Sequence, residues 1–212
     1  MKRNKVYTIV EGHGEANRST RGDPPAVVVL ISKLLQAVGC QNLFPVEHLP
    51  PFRMRSYGEF FRGNKLENVI RFHKKHPDCA AVLILLDMDD DCAKEKAFEL
   101  TDRVRAMESL PFSVAIVCAK CEYEAWFLAS LETIQPGHIY RQNPELRRDA
   151  KGWLKNQFGY RPTRDQSQYT RNLDIDLAIK RSRSFRRLHH AVEEIMSATS
   201  AEQPVITPQK GA

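Results

Sequence analysis

Short apolar runs alternate with amphipathic stretches through the first 135 residues. The runs have the length of strands and cover residues 6–10, 43–49, 80–86 and 112–117. Apolar residues at helical spacing lie between and after them, over residues 28–38, 64–76, 93–107 and 122–131. A continuous run such as AAVLILL (80–86) is typical of a strand buried on both faces of a parallel sheet. The alternation predicts an α/β fold, a mostly parallel sheet with helices on both faces.

The pattern changes after Pro136. Residues 144–158 and 174–197 have helical spacing, and a polar stretch over residues 159–172 separates them. We therefore expect a sheet domain over residues 1–135 and a basic helical extension over residues 136–197 that packs on it. The small, polar residues 198–212 are expected to form a flexible tail.

Composition excludes several classes of protein. With 42% hydrophobic and 27% charged residues in a chain of 212, the sequence is that of a globular protein. No apolar run approaches the roughly 18 residues of a membrane helix, and the N-terminus lacks a signal-peptide apolar region. We expect a cytoplasmic protein that does not associate with membranes.

The five cysteines do not suggest a disulfide framework, because their number is odd and no export signal is present. Cys118 and Cys121 have C-x-x-C spacing. A structural zinc site would need a second such pair, which the sequence lacks. A redox role is open, but a buried Cys118 at a strand end and Cys121 in a turn is the favoured interpretation.

Charge is unevenly distributed along the chain, whose net charge is +6. Residues 51–76 carry a net charge of +5, residues 87–108 carry −4, and residues 141–197 carry +6. This pattern is typical of a metal-binding centre flanked by phosphate-binding surface, although solvated helix faces produce similar runs.

Acidic residues follow three of the predicted strands. Glu11 follows the first, Asp87 and Asp89 follow the third, and Glu124 comes soon after the fourth. Sites in open parallel sheets form outside the carboxyl ends of the strands. Residues two apart in extended backbone point the same way, so Asp87 and Asp89 are expected to address one ion. Carboxylate oxygens favour Mg²⁺ or Mn²⁺ over zinc.

Five sequence pieces carry a resemblance to a known family. They are VEGHGE (10–15), LLDMDDD (85–91), EYEAWFLAS (122–130), DQSQYT (165–170) and RSRSFRRL (181–188). The acidic motifs resemble the Toprim domain of topoisomerases, bacterial primases and overcoming-lysogenization-defect (OLD) nucleases. More narrowly, the chain is similar to the Toprim-like family numbered 4276 in the domain-of-unknown-function series.

The resemblance implies roles for the acidic residues. Glu11, Asp87 and Asp89 would be catalytic, with Glu11 as the general acid/base or a metal ligand. The same three, together with Glu15 and Glu124, would hold Mg²⁺ or Mn²⁺. It also implies an AAA- or ABC-type ATPase partner, with some members belonging to phage-defence modules, and it allows a homodimer.

The predicted function is metal-dependent hydrolysis of DNA or RNA phosphodiester bonds. A topoisomerase or a primase would need further modules, for which too little chain remains. Candidate phosphate contacts are Lys120, Arg181, Arg183, Arg186 and Arg187; solvated or acid-paired arginines are an equal alternative. Two other functions stay open, a non-catalytic adaptor subunit and a receiver-like phospho-acceptor at Asp87.

Overall fold

The computed structural model describes residues 2–209 as an α/β fold built on one six-stranded sheet. The strands are β1 (Lys5–Val10), β2 (Phe44–Pro45), β3 (Phe52–Arg53), β4 (Cys79–Asp87), β5 (Ser113–Ala119) and β6 (Ile206–Thr207). Their order across the sheet is β2, β1, β4, β5, β6, and β3 also pairs with β1. The strand pairings in the described part of the chain are parallel, which confirms the predicted fold class.

Helices cover both faces of the sheet. They are α1 (His13–Ala16), α2 (Ala26–Ala37), α3 (Gly58–Phe61), α4 (Lys65–Phe72), α5 (Ala93–Arg105), α6 (Glu124–Ala129), α7 (Leu131–Ile134), α8 (Ala150–Phe158), α9 (Pro162–Asn172), α10 (Ile175–Arg181) and α11 (Arg183–Ser200). Two 3₁₀ turns cover His73–Lys75 and Pro144–Leu146. Between residues 2 and 209, none of the helices combines the length and apolarity needed to span a bilayer.

Alternation along β4 divides its side chains between two cores, because successive residues of a strand point to opposite faces. Leu83 and Leu85 belong to a core that includes Trp126 of α6 and buried residues of α2 and of the C-terminal helices. Val82 belongs to the core on the other face, which includes Leu100 of α5. Burial on both faces explains why β4 has an unbroken apolar sequence.

Helix α9 occupies a stretch that was predicted to be a polar connection, residues 159–172, and that prediction is wrong. The buried side chains of this helix are mostly polar: Asp165, Gln166, Ser167, Tyr169 and Thr170. Because hydrophobic spacing is the signal that identifies an amphipathic helix, a helix with a polar buried face gives no such signal.

The C-terminal segment also differs from the expected flexible tail over residues 198–212. Helix α11 continues to Ser200, and strand β6 then pairs with Val114 and Ala115 of β5. The last residues of that expected tail, 210–212, lie outside the described part of the chain. The second predicted strand, over residues 43–49, is only the two-residue β2, consistent with the proline that it contains.

Candidate functional site

Carboxylates lie together at the carboxyl ends of β1, β4 and β5. Glu11 follows β1 directly, Asp87 is the last residue of β4, and Glu124 is the first residue of α6, after β5. Repulsion from Glu15, Glu124 and Glu11 acts on the Asp87 carboxylate. The structure thus brings Glu11, Glu15, Asp87 and Glu124 together, and we call these four residues the acidic cluster.

Asp89 lies at the solvent side of this cluster. Its φ angle is +44°, in the left-handed region that Asp tolerates better than most residues. Its backbone N–H donates to the Cys121 carbonyl over 3.0 Å. The argument from extended backbone therefore fails here, because the strand ends at Asp87 and Asp89 is exposed. Asp89 still acts electrostatically on Glu11.

Glu15 is held between its own loop and helix α9. The Gly12 N–H donates to Glu15 Oε2 over 3.1 Å, and Gln166 Nε2 donates to Glu15 Oε1 over 3.3 Å. A Cβ added at Gly14 would lie 1.9 Å from Gln166 Oε1 and 3.0 Å from the Pro162 carbonyl oxygen. A side chain at position 14 would have to displace Gln166 and press on the Pro162 carbonyl, because α9 packs directly on this turn.

Asp87 and Glu124 are also bound by groups from distant segments. The Tyr123 N–H donates to Asp87 Oδ1 over 2.9 Å, and the Tyr123 hydroxyl is 3.0 Å from Thr170 Oγ1 of α9. The Tyr160 hydroxyl donates to Glu124 Oε1 over 2.9 Å. Glu124 is only 1% exposed, and its Oε2 has no hydrogen-bond partner within residues 2–209.

Lys151, in the first turn of α8, supplies a positive charge to the acidic cluster. Its ammonium nitrogen lies 3.7 Å from Glu122 Oε1 and 3.8 Å from Glu124 Oε2. Its backbone N–H donates to Glu122 Oε2 over 2.9 Å, which fixes the start of α8 on the loop after β5. The helical extension therefore completes the acidic site and does not merely pack beside it.

The protonation of the cluster reflects burial and mutual repulsion. Burial, with repulsion from Glu124, raises the pKa of Glu15 from 4.5 to about 7. Burial is also the main cause that raises the pKa of Glu11, Asp87 and Glu124. Burial alone would lower the pKa of Lys151, but the carboxylates around it raise that pKa above its ordinary value.

The carboxylate oxygens of the acidic cluster suit a hard cation, although in this structure they are not arranged around one. Glu11 Oε2 and Glu124 Oε2 are buried without hydrogen-bond partners, and carboxylate oxygens are the ligands that Mg²⁺ prefers. No group of three or more His, Cys, Asp or Glu side chains among the described residues has an arrangement that could hold a metal ion. In this structure the Lys151 ammonium lies 3.8 Å from Glu124 Oε2 of the cluster.

The predicted phosphate contacts lie in different settings. Lys120 Nζ is 3.5 Å from the Asp91 carbonyl oxygen, at the rim of the acidic site. Arg181 donates to Ala129 O and pairs with Glu132, and Arg186 donates to backbone carbonyls of α10. Arg183 and Arg187 are exposed. Arg181 and Arg186 are thus engaged within the helical extension.

Sequence reasoning did not find Lys151, Tyr160, Gln166 and Thr170. The DQSQYT motif contains two of these residues, so it marked the right segment without showing what its side chains contact. Lys151 and Tyr160 carry no local signal, because their partners lie 29 and 36 residues earlier in the chain.

The fold and the acidic edge define an α/β protein with a candidate site at the carboxyl ends of its parallel strands. The family model described as "Domain of unknown function (DUF4276)" matches residues 29–193, so the chain belongs to that family. The matched residues include Asp87, Glu124 and Lys151, and Glu11 and Glu15 precede them. Comparisons with curated proteins and with solved structures found no match.

Proposed function

We propose that the chain is a Toprim-type nuclease that hydrolyses phosphodiester bonds of DNA or RNA with Mg²⁺ or Mn²⁺. The observation that carries the proposal is the acidic cluster at the sheet edge, in which one oxygen each of Glu11 and Glu124 is buried and accepts no hydrogen bond from residues 2–209. The VEGHGE and LLDMDDD motifs, which resemble those of Toprim domains and OLD nucleases, support the same class of reaction.

Glu11, Asp87 and Asp89 would hold the metal, and Glu15 and Glu124 would complete a second position. A bound Mg²⁺ supplies Lewis-acid stabilisation of the phosphate and an activated water. The fit is chemical: these are hard oxygen donors, and their mutual repulsion is relieved by a cation.

The chain's own residues prepare the site for proton transfer. Burial raises the pKa of Glu11, which favours proton transfer if Glu11 serves as the general acid/base in place of a metal ligand. Tyr160 and Gln166 fix the orientation of Glu124 and Glu15 through hydrogen bonds. Lys151 lies close enough to Glu122 and Glu124 to neutralise charge that the carboxylates leave uncompensated.

Cleavage assays with labelled DNA and RNA test this proposal. We expect cleavage with Mg²⁺ or Mn²⁺ that EDTA abolishes, and Glu11→Gln or Asp87→Asn should lower the rate by at least about a hundredfold. Glu47→Gln, an exposed acid-to-amide change away from the site, serves as the control. Cleavage that survives both site substitutions would remove the nuclease proposal.

The resemblance also supports an AAA- or ABC-type ATPase partner and a role in defence against phage. Co-purification of the chain with such an ATPase, and nuclease activity that depends on ATP in the mixture, are the expected results. Full activity of the isolated chain, unchanged by the ATPase, would argue against this part of the proposal.

A non-catalytic adaptor is the second candidate. The contacts of Lys151 with Glu122 and Glu124 favour it, because an internal cation stabilises the acidic cluster without a metal. An adaptor would bind nucleic acid or the ATPase and would cleave no nucleic acid with any metal. In titration calorimetry with Mn²⁺, the wild-type chain and Asp87→Asn would then give the same result, because the acidic cluster would bind no metal.

A further inference from the structure

A basic segment, residues 141–155, runs from the loop before the second 3₁₀ turn into α8. Its five cationic side chains are Arg141, Arg147, Arg148, Lys151 and Lys155. Its two acids are used internally: Glu145 Oε1 accepts from Ser182 Oγ and from the Ser184 N–H, and Asp149 Oδ1 accepts from the Gly152 N–H. With five cations and two acids the segment has a net charge of +3, and outside the segment Arg148 pairs with Asp90 and Lys151 with Glu122 and Glu124.

Contacts fix this basic segment at the mouth of the acidic site. The Cys121 thiol lies 3.4 Å from the Glu145 carbonyl oxygen, and Arg148 forms an ion pair with Asp90. Lys120, on the loop after β5, has its Nζ 3.5 Å from the carbonyl oxygen of Asp91, the neighbour of Asp90 on the loop after β4. Cations thus surround the entrance to a cluster of carboxylates, which is where a phosphate chain would be guided.

The basic segment also exposes apolar and planar groups. Leu146 is 76% exposed, the highest value among the large exposed hydrophobic residues of the described chain. The Arg147 guanidinium lies 5.7 Å from the ring centroid of Trp153, and its buried Nε has no hydrogen-bond partner within residues 2–209. A guanidinium is itself a planar group on which a nucleobase can stack.

We propose that Lys120 and the basic segment bind a single-stranded nucleic acid and lead it to the acidic cluster. That the bound strand leads to the acidic cluster rests on the proposed nuclease function. The binding of the strand to the basic segment does not require cleavage. A duplex offers phosphates and hides its base faces, whereas a single strand offers phosphates to Arg148 and Lys155 and unpaired bases to Leu146 and Arg147.

Fluorescence anisotropy in EDTA tests the proposal without any cleavage. The probes are labelled single-stranded DNA and RNA of about 20 nucleotides and the matching DNA duplex, because ssDNA-binding folds cover roughly 4–16 nucleotides. We expect at least one single strand to bind more tightly than the duplex. Equal or tighter binding of the duplex would overturn the proposal.

Charge-matched double variants locate the surface. Arg148→Ala with Lys155→Ala should lower the salt slope by about 1.4 and the affinity by about 25-fold at about 0.1 M salt, since each phosphate contact contributes about 0.7 to the slope. Lys74→Ala with Lys75→Ala, in the 3₁₀ turn before β4, removes the same charge at the opposite edge of the sheet. Equal losses in the two double variants would overturn the assignment.

A single apolar variant tests stacking separately from charge. Leu146→Ser should weaken single-strand binding roughly threefold with the salt slope unchanged. Phe72→Ser, at an exposed site far from the acidic edge, is the matched control and should bind normally. Because Leu146 is exposed, its substitution should leave the fold intact. Unchanged binding by Leu146→Ser would overturn the base contact assigned to Leu146.

Discussion

At the carboxyl edge of the sheet, the buried carboxylates have donors from distant segments, whereas at the amino edge His73 is buried without any. His73 is 5% exposed, and neither of its ring nitrogens has a hydrogen-bond partner in the part of the chain described here. Its neighbours are aromatic: the ring centroid of Tyr7 is 4.9 Å away and that of His76 is 5.8 Å away.

Burial shifts the pKa of titratable side chains at both edges of the sheet, but only at the carboxyl edge do hydrogen bonds and an ion pair hold these side chains in place. Burial, with repulsion from His76, lowers the pKa of His73 from 6.5 to about 4. The acidic cluster instead has Tyr123, Tyr160, Gln166 and Lys151 as partners. A shifted pKa therefore does not by itself mark a functional site; the convergence of dedicated partners is the stronger sign.

The first prediction concerns the acidic edge. Because the folded chain holds a proton on Glu15 up to about pH 7 and the unfolded chain releases it near pH 4.5, the stability contributed here falls as pH rises through that window. The loss approaches about 3 kcal/mol. Urea unfolding in EDTA at pH 5 and pH 8 measures it.

Glu15→Gln should remove this part of the pH dependence, and the exposed Glu47→Gln should retain it. If Glu15→Gln and the wild-type chain lose the same free energy of unfolding between pH 5 and pH 8, Glu15 is not the group that stays protonated in the folded chain.

The second prediction concerns the amino edge, where the sign is opposite. The unfolded chain protonates its histidine near pH 6.5 and the folded chain only near pH 4, so stability falls as pH drops through that window. The loss again approaches about 3 kcal/mol. His73→Leu should be less sensitive to acid than the wild type in urea unfolding at pH 7 and pH 4.5.

The exposed His48→Leu is the control for this measurement and should keep the acid sensitivity of the wild type. A His73→Leu chain as acid-sensitive as the wild type would show that His73 does not remain neutral in the folded state.

The third prediction tests the packing of α9 on the first loop. Gly14→Ala should lower the free energy of unfolding by roughly 1–3 kcal/mol, because the new Cβ would collide with Gln166 and the Pro162 carbonyl. Gly58→Ala is the matched control, since its Cβ would lie 3.5 Å from Arg62, an ordinary contact. Chemical denaturation that ranks the two variants equally would contradict the close packing.

The smallest expected effect is that of Lys151→Met. Loss of the ammonium leaves Glu122 and Glu124 uncompensated, and since Lys151 is 44% exposed we expect about 1 kcal/mol of destabilisation at pH 8. The effect should be smaller at pH 5 than at pH 8, because burial raises the pKa of Glu124 and favours its uncharged form. Lys155→Met, on the exposed side of the same helix, should show no such pH-dependent difference.

The sequence predicted the parts of the molecule that local pattern determines. The apolar runs of β4 and β5 indicated a parallel sheet, and the strand-end rule located Glu11, Asp87 and Glu124 at one edge. It could not predict the partners of these acids. Contacts such as Gln166 with Glu15 join residues 151 positions apart, and no periodicity records them.

Helix α9 also has a consequence for the order in which the site forms during synthesis. The carboxylates at positions 11, 15 and 87 leave the ribosome early, but Lys151, Tyr160 and Gln166 follow only in the last third of the chain. The centre is therefore assembled only after residue 166 has been synthesised. A chain that ends before residue 160 would thus hold the carboxylates of the proposed nuclease site without the partners that orient Glu15 and Glu124.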